Sequence, residues 1–288
     1  MNTVLLIDSC SDLPSEYIKK NNIRYLSPIC NLDGKEYKDD FGETLGYKEF
    51  YSALRSGKMP TTSAINVLSY YDEFKLHVSH GNPVIYICFS SALSGCINSA
   101  HIAKQQILEE YPEADISIID SMSASLGYGL LCYYAHEMLV SGASKDEVVK
   151  WVEDNKLKMN HWFTVEDLFH LKRGGRVSGT AAVVGTLLDV KPVLHVDSEG
   201  RLVPVARVKG HKKSIRMLVD KLQELIVNPE NQVIAISHGD CIEDVEFLAK
   251  LIKEKVNVKD IIINNIGPAI GTHSGPGTLA VFFLADNR

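Results

Sequence analysis

The sequence lacks the segments that mark exported and membrane proteins. Asp8 ends the first apolar run within MNTVLLIDSC, which has no basic residue before it, and the longest later run, residues 181–188, is too short to cross a membrane. The six cysteines form no C-x-x-C pair and indicate neither a disulfide framework nor a redox motif. We therefore expect no signal peptide, no transmembrane segment, free thiols and a cytoplasmic location.

Excess positive charge is also absent. The 30 Lys and Arg residues against 36 Asp and Glu residues give a net charge of −6, so no overall basic field is present to attract nucleic acid. The chain contains no G-x-G-x-x-G, no P-loop, no H-E-x-x-H and no G-x-S-x-G motif. The sequence therefore predicts no nucleic-acid partner, no metal and no nucleotide or other cofactor.

Short apolar runs alternate with amphipathic segments in the first half of the 288 residues. Strands are predicted at Val4–Ile7, Tyr25–Ile29, Val84–Phe89 and Ile116–Ile119, and helices at Tyr47–Arg55, Asn66–Val78, Cys96–Glu110, Ser125–Val140 and Ser144–Lys158. Nearly continuous apolar strands suit a parallel sheet that is covered on both faces. The pattern predicts an N-terminal parallel-sheet α/β domain over residues 1–158.

The pattern of residues 159–288 is more mixed. Strands are predicted at His161–Val165, Lys191–Val196, Leu202–Val208, Val233–Ser237, Ile261–Asn264 and Leu279–Leu284, and helices at Val165–Lys172, Lys212–Val227 and Ile242–Lys255. The second and third strands, joined across Asp197–Gly200, are typical of an antiparallel hairpin. The sequence therefore predicts the α/β class with two domains, the second a mixed α+β domain over residues 159–288.

Two segments rich in small hydroxyl residues precede predicted helices. Ser90, Ser91, Ser94 and Gly95 follow the strand in YICFSSALSGCINSA, and Pro60–Ser63 precedes the helix that starts near Asn66. Amide groups at such strand-to-helix turns can bind a carboxylate or a phosphate. The alternative is that these hydroxyls only cap their own helices.

Two further turns combine a carboxylate with hydroxyls, at Asp8–Ser11 and Asp120–Ser123. They could hold Mg²⁺, but Asx and Ser turns at strand ends have the same composition. We favour the structural interpretation for both.

Two glycine-containing segments of the second half carry basic residues. Leu171–Ser178 places Lys172, Arg173 and Arg176 around a Gly-Gly bend, which could also be a solvated helix end. Gly267–Gly277 brackets His273 with four glycines and two prolines, so we expect a loop of defined path that exposes the histidine.

Taken together, these motifs resemble those of the bacterial DegV family, in order over nearly the whole chain. The matching segments are I-D-S-x-S-D-L-P at Ile7–Pro14, T-T-S at Thr61–Ser63, S-S-x-L-S-G at Ser90–Gly95, D-S-x-S-x-S-L-G at Asp120–Gly127, L-K-R-G-G-R-V-S at Leu171–Ser178 and G-T-H-S-G-P-G at Gly271–Gly277. Two residues depart from the family pattern: Cys10 and Cys96 stand where Thr is usual.

The resemblance implies a fatty-acid-binding protein that presents the carboxylate of its ligand to a separate ATP-binding subunit of a fatty acid kinase. It implies that Thr62 and Ser94 bind the carboxylate, that Thr61, Gly95, Arg176 and His273 support the head group or face the partner, and that no residue of this chain is catalytic. We expect the apolar tail in a slot within residues 1–158, the second domain closing over the head group, and transient contact with a membrane surface.

Two other functions use the same residues differently. A serine esterase or thioesterase would use Ser94 as the nucleophile and His273 as the base, with an acid such as Asp120 orienting the histidine. A sensor of phosphate esters would grip a dianion with the loop that carries Arg176.

Overall fold

The computed structural model describes residues 3–166, 168–177 and 190–288. Elements of the first half are β1 (Val4–Asp8), α1 (Ser15–Lys20), β2 (Arg24–Leu26), β3 (Ile29–Leu32), β4 (Lys35–Lys38), α2 (Tyr47–Arg55), β5 (Thr61–Ser63), α3 (Val67–Val78), β6 (Val84–Cys88), α4 (Cys96–Glu110), β7 (Ile116–Asp120), α5 (Ser125–Val140) and α6 (Lys145–Asn155). Elements of the second half are β8 (Met159–Thr164), α7 (Phe169–Arg173), β9 (Val190–Val196), β10 (Leu202–Lys209), α8 (His211–Leu225), β11 (Val233–His238), α9 (Ile242–Lys255), β12 (Asp260–Asn265), α10 (Pro268–Ser274) and β13 (Leu279–Leu284).

The first half contains a four-stranded parallel sheet in the order β2-β1-β6-β7. All five residues of β6 are buried, as expected for an apolar strand with helices on both sides. One face of the sheet packs against α3 and α4, and the other packs against α5. The predicted N-terminal α/β architecture is confirmed.

A small antiparallel sheet, in the order β4-β3-β5, was not predicted. The single strand predicted at Tyr25–Ile29 is wrong, because the chain leaves the parallel sheet after Leu26 and enters the small sheet at Ile29. Pro28 lies at this junction and has no amide hydrogen for a sheet ladder. The segment that contains Thr61 and Thr62 is likewise a short strand rather than a turn into α3.

The second half contains a six-stranded mixed sheet in the order β10-β9-β8-β13-β11-β12. Strands β9 and β10 form the predicted antiparallel hairpin, and β11 and β12 are parallel. Alternate residues of β13 separate two cores: Ala280 and Phe282 face α5 and the first half, whereas Val281 and Phe283 face α8 and α9. The predicted mixed C-terminal sheet is confirmed.

The glycine-rich segment around His273 is a helix rather than the predicted loop. Gly267 precedes α10, and Pro268 occupies its first turn, where a fixed φ and a missing amide hydrogen carry no penalty. Gly275, with φ of 81°, ends the helix in a conformation that other residues rarely adopt. His273 lies in the last turn and is only partly accessible, so the expectation of an exposed histidine is wrong.

The helix predicted at Val165–Lys172 is also shorter than expected. Val165 and Glu166 are not helical, and α7 extends over Phe169–Arg173; residue 167, within the predicted range, lies outside the described residues.

The two sheets enclose α5 between them. This helix contacts β1 of the parallel sheet and β8, β11 and β13 of the mixed sheet. A single apolar core therefore includes Ile7 and Ile87 from the first half together with Phe163 and Phe282 from the second.

The domain boundary at residue 158 stays a prediction. In the part of the chain that the structure describes, no helix is long and apolar enough to cross a membrane.

Candidate functional site

A cavity lies between the two halves of the chain. The empty space within it, together with its opening to solvent, is about 1120 Å³. Its apolar lining comes from both halves: Ile65, Phe89 and Leu93 from the first, and Phe163, Leu171, Val196, Leu202, Ile266, Ile270 and Phe282 from the second. We expected a slot within residues 1–158, but the mixed sheet supplies much of the wall because one face of β8 and β13 turns toward the first half.

Polar residues line the accessible end of the cavity, and others, including Asp8, His161 and Ser237, line its buried part. Five of the six residues implied by the resemblance line the cavity and are partly or fully accessible: Thr62, Ser94, Gly95, Arg176 and His273. By contrast, Phe163 and Phe282 are buried. The cavity therefore has an accessible polar end and largely apolar walls with a few buried polar groups, an arrangement that suits a ligand with a polar head and an apolar tail.

Thr62 and His273 form the central contact of the mouth. Thr62 Oγ1 lies 2.9 Å from Nε2 of His273, which joins β5 to the end of α10. Burial, reinforced by the positive charges of Arg176 and Arg173, lowers the pKa of His273 to about 4. The imidazole is therefore neutral at physiological pH.

The surroundings of His273 indicate which ring nitrogen carries the proton. Nδ1 is buried without a hydrogen-bond partner among the described residues, and a Cβ atom added to Gly174 would lie 2.2 Å from it. Burying an unpaired N–H group is costly, so the proton is better placed on Nε2, which donates to Thr62 Oγ1. In this tautomer, the hydroxyl hydrogen of Thr62 is free to donate to a ligand.

The side chain of Ser94 lies at the start of α4. Its Oγ accepts a hydrogen bond from the amide of Cys96 at 3.3 Å and lies 3.2 Å from Cys96 Sγ. Ser94 thus performs part of the helix-capping role that we gave as its alternative, while it also lines the cavity. Beside it, a Cβ atom added to Gly95 would meet no atom within 4 Å, so the backbone there is open to a ligand.

Thr61 is placed differently from Thr62. Successive residues of a strand point to opposite sides, and the side chain of Thr61 is exposed and does not line the cavity. The alternative that Thr62 or Ser63 caps α3 is wrong, because Asn66 accepts the hydrogen bond from the Ser69 amide at 2.9 Å.

Two arginines of the second half lie near the mouth, of which Arg176 lines the cavity. Arg176 Nε donates to the carbonyl of Leu93 at 3.2 Å, and burial lowers the pKa of the guanidinium below its usual value. Arg173 donates to the carbonyls of Pro60 and Thr272, at 3.3 and 3.0 Å. Both side chains therefore tie α7 and the segment after it to the first half. Ser178, the last residue of this motif, lies outside the described residues.

The two turns that combine carboxylates with hydroxyls have structural roles. Asp8 accepts hydrogen bonds from the amides of Cys10 and Phe89, at 3.0 and 3.3 Å. Asp120 accepts from the amides of Ser91 and Met122, at 3.2 and 3.0 Å. No group of three potential metal ligands occurs within residues 3–166, 168–177 and 190–288.

Asp8 also lines the cavity, which the sequence did not reveal. Burial raises its pKa to about 6, against the hydrogen bonds that favour the charged form. Cys10 and Cys96 line the cavity as well, and burial raises the pKa of both thiols. The two cysteines are therefore neutral and contribute largely apolar surface.

Some wall residues that sequence reasoning missed follow a simple pattern. His161 and Phe163 are two residues apart on β8, and Ala280 and Phe282 are two residues apart on β13; all four line the cavity. The period of two was visible in the sequence, but which face would meet the first half was not. His161 is buried, and burial lowers its pKa well below the usual value.

The catalytic triad of the esterase hypothesis is not assembled. Among the described residues, His273 hydrogen bonds through Nε2 to Thr62, whereas Ser94 hydrogen bonds to Cys96. Asp120 accepts hydrogen bonds from the backbone amides of Ser91 and Met122 and does not orient His273. The geometry therefore gives Ser94 no activating base.

Comparison with known proteins gives a consistent result. The family model described as "Uncharacterised protein, DegV family" matches residues 2–286. A DegV domain-containing protein of Clostridium perfringens is 51% identical over 285 residues, which cover 99% of this chain and 98% of that protein.

Solved structures agree over the whole length. A DegV family protein from Thermus thermophilus, whose structure is described as showing fatty acid binding, superposes with a TM-score of 0.89 at 29% identity, covering 99% of this chain and 100% of that one. DegV of Bacillus subtilis, described as a fatty acid binding protein, superposes with a TM-score of 0.84 at 27% identity, with coverage of 99% and 100%.

Proposed function

The chain belongs to the DegV family, and we propose that it binds one long-chain fatty acid in the cavity between its two halves. The carboxylate lies at the mouth, where Thr62 and Ser94 donate hydrogen bonds to it, and the acyl chain extends along the wall that Phe163 and Phe282 form on β8 and β13. The observation that carries this proposal is the Thr62–His273 contact at the accessible polar end of a largely apolar cavity.

The mouth has hydrogen-bond donors and positive charge for a carboxylate. The hydroxyls of Thr62 and Ser94 can donate hydrogen bonds, and Arg176 supplies a positive charge at the same end of the cavity. His273 is neutral and orients the hydroxyl of Thr62 rather than neutralising the ligand. Without such donors, burying the charged head would remove much of the affinity that the tail supplies.

The interior can hold the acyl chain. About fourteen methylenes at ~0.8 kcal/mol each give roughly 11 kcal/mol of gross hydrophobic free energy, before the cost of ordering the chain and of association. The buried Phe163 and Phe282 and the neutral thiols of Cys10 and Cys96 supply low-polarity wall for this contact. Fatty acid binding in the Thermus thermophilus and Bacillus subtilis proteins supports the same use of the cavity here.

The proposal extends to a partner. A separate ATP-dependent fatty acid kinase subunit would supply ATP, and a carboxylate oxygen of the bound acid would attack the γ-phosphorus, giving an acyl phosphate and ADP. This chain would then act as the non-catalytic acyl-binding subunit in the cytoplasm, and would collect or release its ligand in transient contact with a membrane surface. The resemblance of the motifs around Thr62, Ser94 and His273 supports this part of the proposal.

Mass spectrometry of the purified chain tests the binding. Under denaturing conditions, the full-length protein should release about one fatty acid per chain, and added palmitate or oleate should raise the melting temperature of protein from which lipid has been removed. Protein that carries no lipid, and whose melting temperature neither acid changes, would contradict the proposal. If inorganic phosphate alone raised it, the phosphate-ester sensor would be favoured instead.

A further inference from the structure

The start of α10 is held by two buried aspartates of the first half. Asp12 Oδ1 accepts a hydrogen bond from the Gly267 amide at 2.8 Å, and Asp39 Oδ2 accepts one from the Ala269 amide at 2.9 Å. Each aspartate exposes 1% of its surface. Residues of the first half thus bind amides at the start of the helix that carries His273.

The two carboxyl groups lie close together. A Cβ atom added to Gly267 would lie 2.9 Å from both carboxyl oxygens of Asp39 and 3.0 Å from Oδ1 of Asp12. The groups are therefore within about 6 Å of each other, the range over which one negative charge disfavours another. Oδ1 of Asp39 is buried without a hydrogen-bond partner among the described residues.

No described cation forms an ion pair with either aspartate. Asp12 instead accepts a hydrogen bond from Ser125 Oγ, which lies 2.9 Å from Ser237 Oγ. Among the described residues, the titratable groups whose charges interact with the pair include Asp8, Cys10, Tyr25, Cys30, Asp40, Tyr47 and Tyr51, which are acidic or neutral. Two full negative charges in this position would be poorly compensated, and one retained proton relieves the repulsion.

The aspartates act on the head-group site through α10. The helix has seven residues, and His273 lies in its last turn, where it contacts Thr62. Arg173 also fixes this end by donating to the Thr272 carbonyl at 3.0 Å. Because the helix is short and held at both ends, a shift at its start changes the placement of His273.

Resting on the proposed function, we propose that Asp12 and Asp39 are positioning residues of the head-group site. While one of the two carries a proton, they hold α10 so that His273 meets Thr62, and loss of that proton weakens retention of the fatty acid. Neither aspartate contacts the ligand in this arrangement.

The sign of the pH effect follows from the environment of the pair. Burial raises the pKa of Asp12 well above its usual value, and the charge of Asp39 raises it further, against the hydrogen bond from Ser125. Burial raises the pKa of Asp39 to about 7 against the hydrogen bond from the Ala269 amide, which lowers it, and the charges of Asp40 and Asp8 contribute to the rise. The carboxylate of a bound acid adds a negative charge that favours the protonated pair, so we expect retention to be strongest below neutral pH and to weaken as the pH rises through about 7.

The test compares Asp39→Asn with Asp39→Ala. The dissociation constant of palmitate is measured between about pH 6 and about pH 9, and the imidazole NMR signals of His273, assigned with His273→Gln, are followed in lipid-free protein. We expect wild type to lose roughly tenfold in affinity over this range, Asp39→Asn to keep the low-pH affinity with a flatter profile, and Asp39→Ala to bind more weakly throughout. The titration of palmitate itself is common to all variants and cancels in the comparison.

Three results separate the outcomes. If Asp39→Asn keeps the wild-type pH profile, or if Asp39→Ala keeps both wild-type affinity and the wild-type His273 signals, the positioning role is refuted. A change in melting temperature alone, without a change in the pH profile, would show a purely structural role and also refute it. If wild type binds no palmitate at any pH, the proposed function fails, while the pH dependence of the His273 signals still decides whether the aspartates position the ring.

Discussion

Thr62 Oγ1 and His273 Nε2 are 2.9 Å apart although 211 residues separate them in the chain. The contact joins the small antiparallel sheet of the first half to the short helix of the second, at the polar end of the cavity. It explains how a neutral histidine can serve an anionic ligand: the ring orients a hydroxyl hydrogen toward the ligand.

Replacing Thr62 tests the head-group contact. Thr62→Ala should weaken retention of palmitate by about 1–3 kcal/mol, because the carboxylate loses a donor. Thr61→Ala is the matched control, since Thr61 is adjacent on the same strand but exposed. Titration calorimetry of lipid-free protein measures both variants, and equal losses would contradict the assignment of Thr62.

Ser94 distinguishes a binding protein from an esterase. Ser94→Ala should also weaken palmitate binding by about 1–3 kcal/mol. Because no base among the described residues contacts its hydroxyl, a fluorophosphonate probe should leave Ser94 unmodified in wild type. Stoichiometric labelling of Ser94, detected by peptide mass spectrometry, would favour the esterase.

The low pKa of His273 predicts a loss of stability in acid. The folded state lowers the pKa of His273 from 6.5 to about 4, so at intermediate pH the unfolded chain binds a proton that the folded protein does not. The free energy of unfolding is therefore unaffected by His273 above about pH 6.5 and falls as the pH drops toward 4. His273→Gln should remove up to about 3 kcal/mol of this loss. Urea unfolding of wild type and variant is measured at several pH values. The difference between their unfolding free energies cancels the contribution of the buried aspartates, which both proteins share.

If the difference in unfolding free energy between wild type and His273→Gln stays the same from pH 7 to about pH 4, the pKa of His273 is not lowered in the folded state.

Ala280 tests the placement of the tail. Its side chain lines the cavity from β13, so Ala280→Phe should fill part of the space that the acyl chain uses. We expect a larger loss of affinity, about tenfold or more, for stearate than for laurate. Competition with a fluorescent fatty acid measures the ratio.

The melting temperature of lipid-free Ala280→Phe is the control, since it reports any strain from the added ring. Equal losses for the long and the short acid in a normally folded variant would place the tail elsewhere.

Much of the fold was predictable because local patterns and packing agree. The helices Tyr47–Arg55, Cys96–Glu110 and Ile242–Lys255 have the predicted bounds, and each is defined by apolar spacing and polar ends. The hairpin of β9 and β10 was visible from its turn.

The errors occurred where long-range contacts decide the structure. The proline and glycines of Gly267–Gly277 suggested a loop, but they start and stop α10, which is packed among Asp12, Asp39 and Tyr51. Nothing local in the sequence indicates such distant partners.

The candidate site was also predictable only in part. The motifs located Thr62, Ser94, Arg176 and His273, which the structure brings to one end of one cavity. The cavity wall was not predictable, because the side of β8 and β13 that faces the first half depends on how the two sheets pack around α5.

The most direct test of the account is a crystal structure of the full-length chain saturated with palmitate. We expect one ligand per chain, its carboxylate within hydrogen-bond distance of Thr62 and Ser94 and its acyl chain in contact with Phe163 and Phe282. Palmitate bound elsewhere, or a cavity left empty while the mass spectrum shows a bound acid, would contradict the account.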